Sequence, residues 1–140
     1  MVYVDTSVVV ALLLSEPGSA DASKWYATCA DELVSAMWCV SEFANALGIK
    51  QRTGQITEIE GQEAWQRFER LCANDLRLLP VEPATFHRAA QLTLDATTGL
   101  RAGDSLHLAS ALAVKARRMA TLDDVLAKNA KRERLSLALR

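Results

Sequence analysis

Val2-Tyr3-Val4-Asp5-Thr6-Ser7-Val8 opens the chain, and the reading of this stretch decides the fold. Val2 to Val4 is a short β-branched and aromatic run, which predicts a buried strand. Thr6 or Ser7 can cap a helix through about Ser15, stopped by Glu16-Pro17-Gly18. A strand that passes through an acid into a helix is the start of a β-α unit, and the pattern recurs. Leu33-Val34-Ser35-Ala36 leads into a helix from about Trp38 to Arg52, with Gly54 placed as a C′ residue. Leu76 to Val81 leads into a helix from Pro83 to about Ala96, and Ala120 to Leu122 into a helix from Asp124 to about Lys131. Further helices are predicted from Ser19 to Ala30, from Thr57 to about Ala73, and from Gly103 to about Arg118. Thr57 and Glu60 have capping-box spacing. Thr97 to Ala102 reads as a loop, and Leu135 to Leu139 as a fifth strand or a tail. Alternating strands and helices imply a three-layer α/β/α domain around a parallel sheet of four to five short strands. The ligand crevice of such a sheet lies outside the carboxyl ends of its strands, where Asp5 and Asp123 would both fall.

At 140 residues the chain is most simply one domain, residues 1–140. Half of it is hydrophobic, enough for a sizeable core and too much for a disordered chain. The net charge of −1 is unevenly spread: from Lys115 onward eight Lys/Arg face three acids, a local +5 that leaves −6 for the rest. A basic end beside an acidic pocket fits a polyanionic substrate, although a solvated helix face gives the same counts. Cys29, Cys39 and Cys72 show no C-x-x-C spacing and read as small apolar residues of a reducing compartment. No basic, apolar leader is evident at the start, and Val8 to Leu14 is too short to span a bilayer. The expectation is a cytoplasmic protein with no membrane association.

Four acids stand near the ends of apolar segments: Asp5, Glu42, Asp104 and Asp123. A carboxylate in apolar surroundings is unfavourable unless it is hydrogen-bonded, paired or bound to a metal. Each has an ordinary reading alone. Asp5 and Asp123 can cap helices, and Asp104 can complement the dipole of its own helix. Glu42, with Trp38, Asn45, Ala46 and Ile49 as helical neighbours, faces a mostly apolar stripe. Together they form a ring that helix capping does not require, and an all-oxygen ring suits a hard cation such as Mg²⁺ or Mn²⁺.

Val4-Asp5-Thr6-Ser7, Ser41-Glu42-Phe43-Ala44-Asn45-Ala46-Leu47, Leu100-Arg101-Ala102-Gly103-Asp104-Ser105-Leu106-His107-Leu108-Ala109 and Thr121-Leu122-Asp123 resemble the motifs of PIN-domain nucleases. Among these the chain is similar to the VapC toxins of toxin–antitoxin modules. The resemblance spans the chain in motif order and length, and the segment around Asp104 is its most specific part. It implies a PIN-like fold and a metal-dependent endoribonuclease that forms a homodimer and is inhibited by a small cognate antitoxin, VapB-like in kind. Asp5, Glu42, Asp104 and Asp123 would then be the catalytic, metal-holding acids, using Mg²⁺ or Mn²⁺ to hydrolyse phosphodiester bonds in RNA and leave 5′-phosphate ends. Ser7 and Asn45 would orient these acids by hydrogen bonds. Arg101, which precedes the Asp104 helix, fits either a substrate phosphate or a surface ion pair.

His107 lies three residues after Asp104, but its leucine neighbours favour a packed or hydrogen-bonded role over metal ligation. His87 reads as structural, and Trp25, Trp38 and Trp65 as core or interface residues. Lys128, Lys131, Arg132 and Arg134 fit either an RNA backbone or a solvated face. The rival readings are a metal-dependent phosphatase with Asp5 as nucleophile and a non-catalytic RNA- or protein-binding module of the same fold. A haloacid-dehalogenase-like site would need an aspartate where Ser7 stands, and a phospho-receiver would need a second acid where Val4 stands.

Overall fold

The computed structural model describes residues 1–139, so Arg140, one of the C-terminal cations, lies outside the described residues. The elements run β1 (Val2–Val4), α1 (Thr6–Leu13), α2 (Ser19–Thr28), β2 (Leu33–Ala36), α3 (Trp38–Arg52) and α4 (Glu58–Asn74). They continue with β3 (Leu76–Leu79), α5 (Pro83–Leu94), a 3-10 turn at Ala96–Thr98, α6 (Ala102–Ala113), β4 (Arg118–Ala120), α7 (Asp124–Arg132) and β5 (Ser136–Leu139). The strands form a parallel sheet in the order β3-β2-β1-β4-β5.

Because strand side chains alternate between faces, each strand feeds two cores. Val2, Val4, Leu33 and Ala120 pack with Val8, Phe43, Leu47, Phe68 and Leu71, covering one face with α1 to α4. Tyr3, Val34, Ala36 and Met119 pack with Ala89, Leu92, Leu106, Leu108 and Leu126, covering the other with α5 to α7. The result is the three-layer α/β/α arrangement. Phe43, Phe68 and Trp65 anchor the first core; Phe43 stacks on Phe68 at 4.6 Å between ring centres and on Trp65 at 6.2 Å. Trp65 is therefore committed to packing within the chain.

From β1 the chain winds outward to β2 and β3, and later returns to add β4 and β5 on the other side. The winding direction thus reverses between β1 and β4, and at such a point the loops leaving two adjacent strands diverge and open a crevice. Asp5 leaves β1 on one side of it, and Thr121-Leu122-Asp123 leaves β4 on the other.

Several boundaries differ from the sequence expectation. α6 ends at Ala113, and Arg118 belongs to β4. The apolar pattern does continue, but Lys115 turns the chain at φ 56° and Arg118, Met119 and Ala120 pair in register with Val2, Tyr3 and Val4. β4 thus lies two residues earlier than predicted, and Asp123 sits in the turn beyond it. Asp5 itself caps α1, rather than Thr6 or Ser7. β3 stops at Leu79, where Pro80 brings no N–H for a sheet bond. Gly54 ends α3 at φ 75°, the left-handed position expected of a C′ glycine, and the Thr57–Glu60 capping box is present. No helix among the described residues is long and apolar enough to cross a membrane.

Candidate active site

Asp5 is buried, with 4% of its surface exposed, and both of its oxygens are held. Ser7 Oγ donates to Oδ1 at 2.6 Å, joined by the Val8 N–H at 3.4 Å, and Thr121 Oγ1 donates to Oδ2 at 2.9 Å. Burial pushes the Asp5 carboxyl up, against the downward pull of its hydrogen bonds from Ser7, Thr121 and the Val8 N–H. Ser7 Oγ also accepts the Leu122 N–H at 2.9 Å, and Thr121 Oγ1 accepts the Asp123 N–H at 3.1 Å. The two hydroxyls stitch the loops after β1 and β4 together across the crevice.

Glu42 projects from the first turns of α3 toward the same crevice. Thr6 Oγ1 donates to its Oε1 at 2.7 Å, and His107 Nε2 bonds the same oxygen. Burial pushes the Glu42 carboxyl up, but the His107 and Thr6 contacts outweigh it and hold the group below the usual carboxylate range. The Trp38 indole N–H, buried without a hydrogen-bond partner among the described residues, also pulls the group down. His107 in turn bonds the Tyr3 hydroxyl through Nδ1 at 2.8 Å, tying α3 to the centre of the sheet through α6.

Asp104 lies in the first turn of α6 and is half-buried. Burial pushes its carboxyl up, and the negative charges of Asp123 and Glu42 push it further. Asp123 caps α7 by accepting the Leu126 N–H at 2.7 Å through Oδ1. Gly103 lets α6 come this close: a Cβ there would stand 2.8 Å from Glu42 Oε2 and 3.3 Å from Trp38 Nε1. As the side chains stand, no group of three or more His, Cys, Asp or Glu among the described residues could hold a metal ion.

The PIN domain family model matches residues 2–132. The chain belongs to the PIN-domain family. It is similar to Ribonuclease VapC45 of Mycobacterium tuberculosis strain CDC 1551 / Oshkosh and to Ribonuclease VapC49 of strain ATCC 25618 / H37Rv. Each is 37% identical over 115 residues, covering 81% of this chain and 76% of the relative. Among solved structures, VapC20 of M. tuberculosis, described as a sarcin-ricin loop cleaving toxin, has a TM-score of 0.73 at 14% identity, covering 92% of this chain and 95% of that one. FitAcB from Neisseria gonorrhoeae has a TM-score of 0.73 at 18% identity, covering 98% and 96%. VapBC2 from Rickettsia felis, bound to a DNA fragment from its promoter, has a TM-score of 0.64 at 18% identity, covering 98% and 97%. At these identities the structural likeness shows the fold.

In this PIN domain Asp104 stands within electrostatic reach of Glu42 and Asp123, and Thr121, which bonds both the Asp5 carboxylate and the Asp123 N–H, ties Asp5 to the loop that carries Asp123. Ser7 Oγ donates to Asp5. Asn45 is exposed, and among the described residues no hydrogen bond joins it to any of the four acids. Thr6 takes the place expected of it, because the residue after Asp5 faces Glu42 once α1 packs against α3. Arg101 is exposed at the N-cap of α6. Thr6, Thr121, Tyr3, Gly103 and the partners of His107 escaped the sequence reading. Their signal is adjacency to an acid or to the Asp104 motif, which does not say which distant side chain each will meet.

Proposed function

We propose that this PIN domain, with residues 1–140 as one domain, is a VapC-like endoribonuclease dependent on Mg²⁺ or Mn²⁺ and the growth-inhibiting toxin of a toxin–antitoxin pair. The observation that carries the reading is the approach of α6 to α3 and α7, which sets Asp104 within electrostatic reach of both Glu42 and Asp123. Mutual repulsion among acids at a crevice is a standing cost that a divalent cation relieves. The oxygen-only donor set fits Mg²⁺ or Mn²⁺ held partly through water, since Mg²⁺ usually keeps several of its waters. Asp5, Asp104 and Glu42 through Oε2 would hold the ion, with Asp123 completing the site. Such an ion supplies charge neutralisation at the phosphate and a lowered pKa for the attacking water.

The chain's own contribution is positioning. Ser7, Thr121 and the Val8 N–H restrain Asp5, while Thr6 and His107 restrain Glu42. Arg101, exposed three residues before Asp104, would meet a substrate phosphate. A phosphatase route through Asp5 fits poorly, because Ser7 stands where such a site would need a second aspartate. We place the protein in the cytoplasm, as a homodimer restrained by a small VapB-like antitoxin. The cleft of about 440 Å³ between the end of α1 and α4, with Leu12, Leu13, Ile56 and Ala64 beside Lys50 and Arg67, would suit an amphipathic antitoxin segment.

The test is 5′-end mapping of total RNA after brief induction, beside purified protein incubated with RNA in Mg²⁺, Mn²⁺ or chelator. New 5′-phosphate ends that require the metal and vanish in Asp104→Asn are expected. Cleavage that survives both chelator and Asp104→Asn would overturn the mechanism, and no cleavage by folded protein in any metal would overturn the activity.

A further inference from the structure

His107 is 2% exposed at the centre of a chain of contacts that neither the acid ring nor ordinary packing requires. A carboxylate only accepts hydrogen bonds, so the ring nitrogen facing Glu42 Oε1 must carry a proton. The nitrogen facing Tyr3 is set by the other end of the chain. The Tyr3 oxygen accepts the Ala36 N–H at 3.2 Å and still has its own proton to place. Ser35 Oγ and Ser110 Oγ lie nearby and buried, yet neither reaches bonding geometry, which leaves His107 Nδ1 at 2.8 Å as the acceptor. Donation therefore runs in one direction: from the Ala36 N–H to Tyr3, from Tyr3 to Nδ1, and from Nε2–H to Glu42. Thr6 Oγ1, 2.7 Å from Oε1 and 3.1 Å from Nε2, closes the corner.

We infer that Tyr3 and His107 are positioning residues, which hold Glu42 by Oε1 so that Oε2 is the oxygen presented to the crevice beside Gly103 and Asp104. The role rests on the reading of Glu42 as a metal-holding acid. A free glutamate side chain samples many rotamers, whereas one pinned at a single oxygen by a buried ring has its second oxygen aimed in advance.

Two measurements test it. In metal-free protein carrying His87→Asn, so that His107 is the remaining histidine, ¹⁵N–¹H correlations should report a proton on Nε2 and none on Nδ1. Mn²⁺ titration by calorimetry should then show binding weakened about 10- to 100-fold in Tyr3→Phe and His107→Leu. His107→Gln, which can accept from Tyr3 and donate to Glu42, should restore most of it. If His107→Leu fails to fold, Tyr3→Phe, which removes a single oxygen, carries the comparison. A proton on Nδ1, or wild-type Mn²⁺ affinity in Tyr3→Phe, would overturn the positioning role. Failure of the unmodified protein to bind Mn²⁺, with the Nε2 proton in place, would instead overturn the metal reading of Glu42 and leave the hydrogen-bond chain standing.

Discussion

Gly103 and Asp104 stand side by side at the start of α6 and make opposite demands on Glu42. Gly103 yields space to it, while Asp104 repels it. In Gly103→Ala the new methyl would meet Glu42 Oε2 at 2.8 Å, and the carboxylate tip is the softer of the two groups. The damage should fall on the site and spare the helix, since Ala favours a helix over Gly by up to about 1 kcal/mol. We expect an unchanged or slightly raised melting temperature with RNA cleavage down at least ~10-fold, as positional defects of this kind produce. A lowered melting temperature with full activity would contradict this. Asp104→Asn should abolish cleavage and stabilise the metal-free protein. Because burial, Asp123 and Glu42 raise the Asp104 carboxyl, the folded state binds its proton more tightly than the unfolded chain. The penalty is fully present above the raised folded value and is relieved as pH falls toward the unfolded value of ~3.9. Asp5, also raised, behaves alike, whereas the lowered Glu42 contributes stability that is lost as pH falls through its folded value. Comparing parent with Asp104→Asn isolates one group: the gap in melting temperature should be widest near neutrality and close on acidification. A gap that widens instead would show that the carboxyl is not raised.

At the scale of elements, α4 shows what local chemistry alone can specify. Thr57 accepts the Glu60 N–H at 3.1 Å and Glu60 returns a bond to the Thr57 N–H at 3.1 Å, within four consecutive residues. Thr57→Ala should destabilise the fold by about 1 kcal/mol, read from denaturant midpoints, with cleavage untouched because α4 supplies none of the four acids. Loss of activity at full stability would show that α4 does reach the site. The same locality made β2 and the end of α3 legible, with boundaries set by the apolar run Leu33 to Ala36 and by Thr53-Gly54. α6 was not legible in this way. Its apolar pattern runs on toward Arg118, and only pairing with Val2–Val4, more than a hundred residues away, claims Arg118–Ala120 for the sheet. Helix and buried strand both read as apolar over so short a span, so the choice belongs to the partner.

For the molecule as a whole, the reversal of winding between β1 and β4 brings the loops that carry Asp5 and Asp123 to neighbouring strand ends. If the crevice between them is the nuclease site of a toxin, expression without its antitoxin should arrest growth, and co-expression of the small protein encoded beside it should relieve the arrest. Normal growth with abundant soluble protein in metal-replete cells would count against the toxin reading. What the sequence determined by itself was whatever depends on residues close along the chain: alternating strands and helices, the Thr57 cap, the Gly54 stop, and acids at the ends of apolar runs. From these the parallel α/β/α layering follows, since β-α units bury their apolar faces in few other ways. Tertiary structure alone decided which side chain meets which acid. Thr6 rather than Asn45 holds Glu42, Thr121 reaches back to Asp5, and Tyr3 bonds His107 across 104 positions of sequence. The physical reason is that a hydrogen bond is settled within a few tenths of an ångström, by the packing of α1, α3 and α6 against one sheet, whereas the apolar pattern of a segment records only that it will be buried.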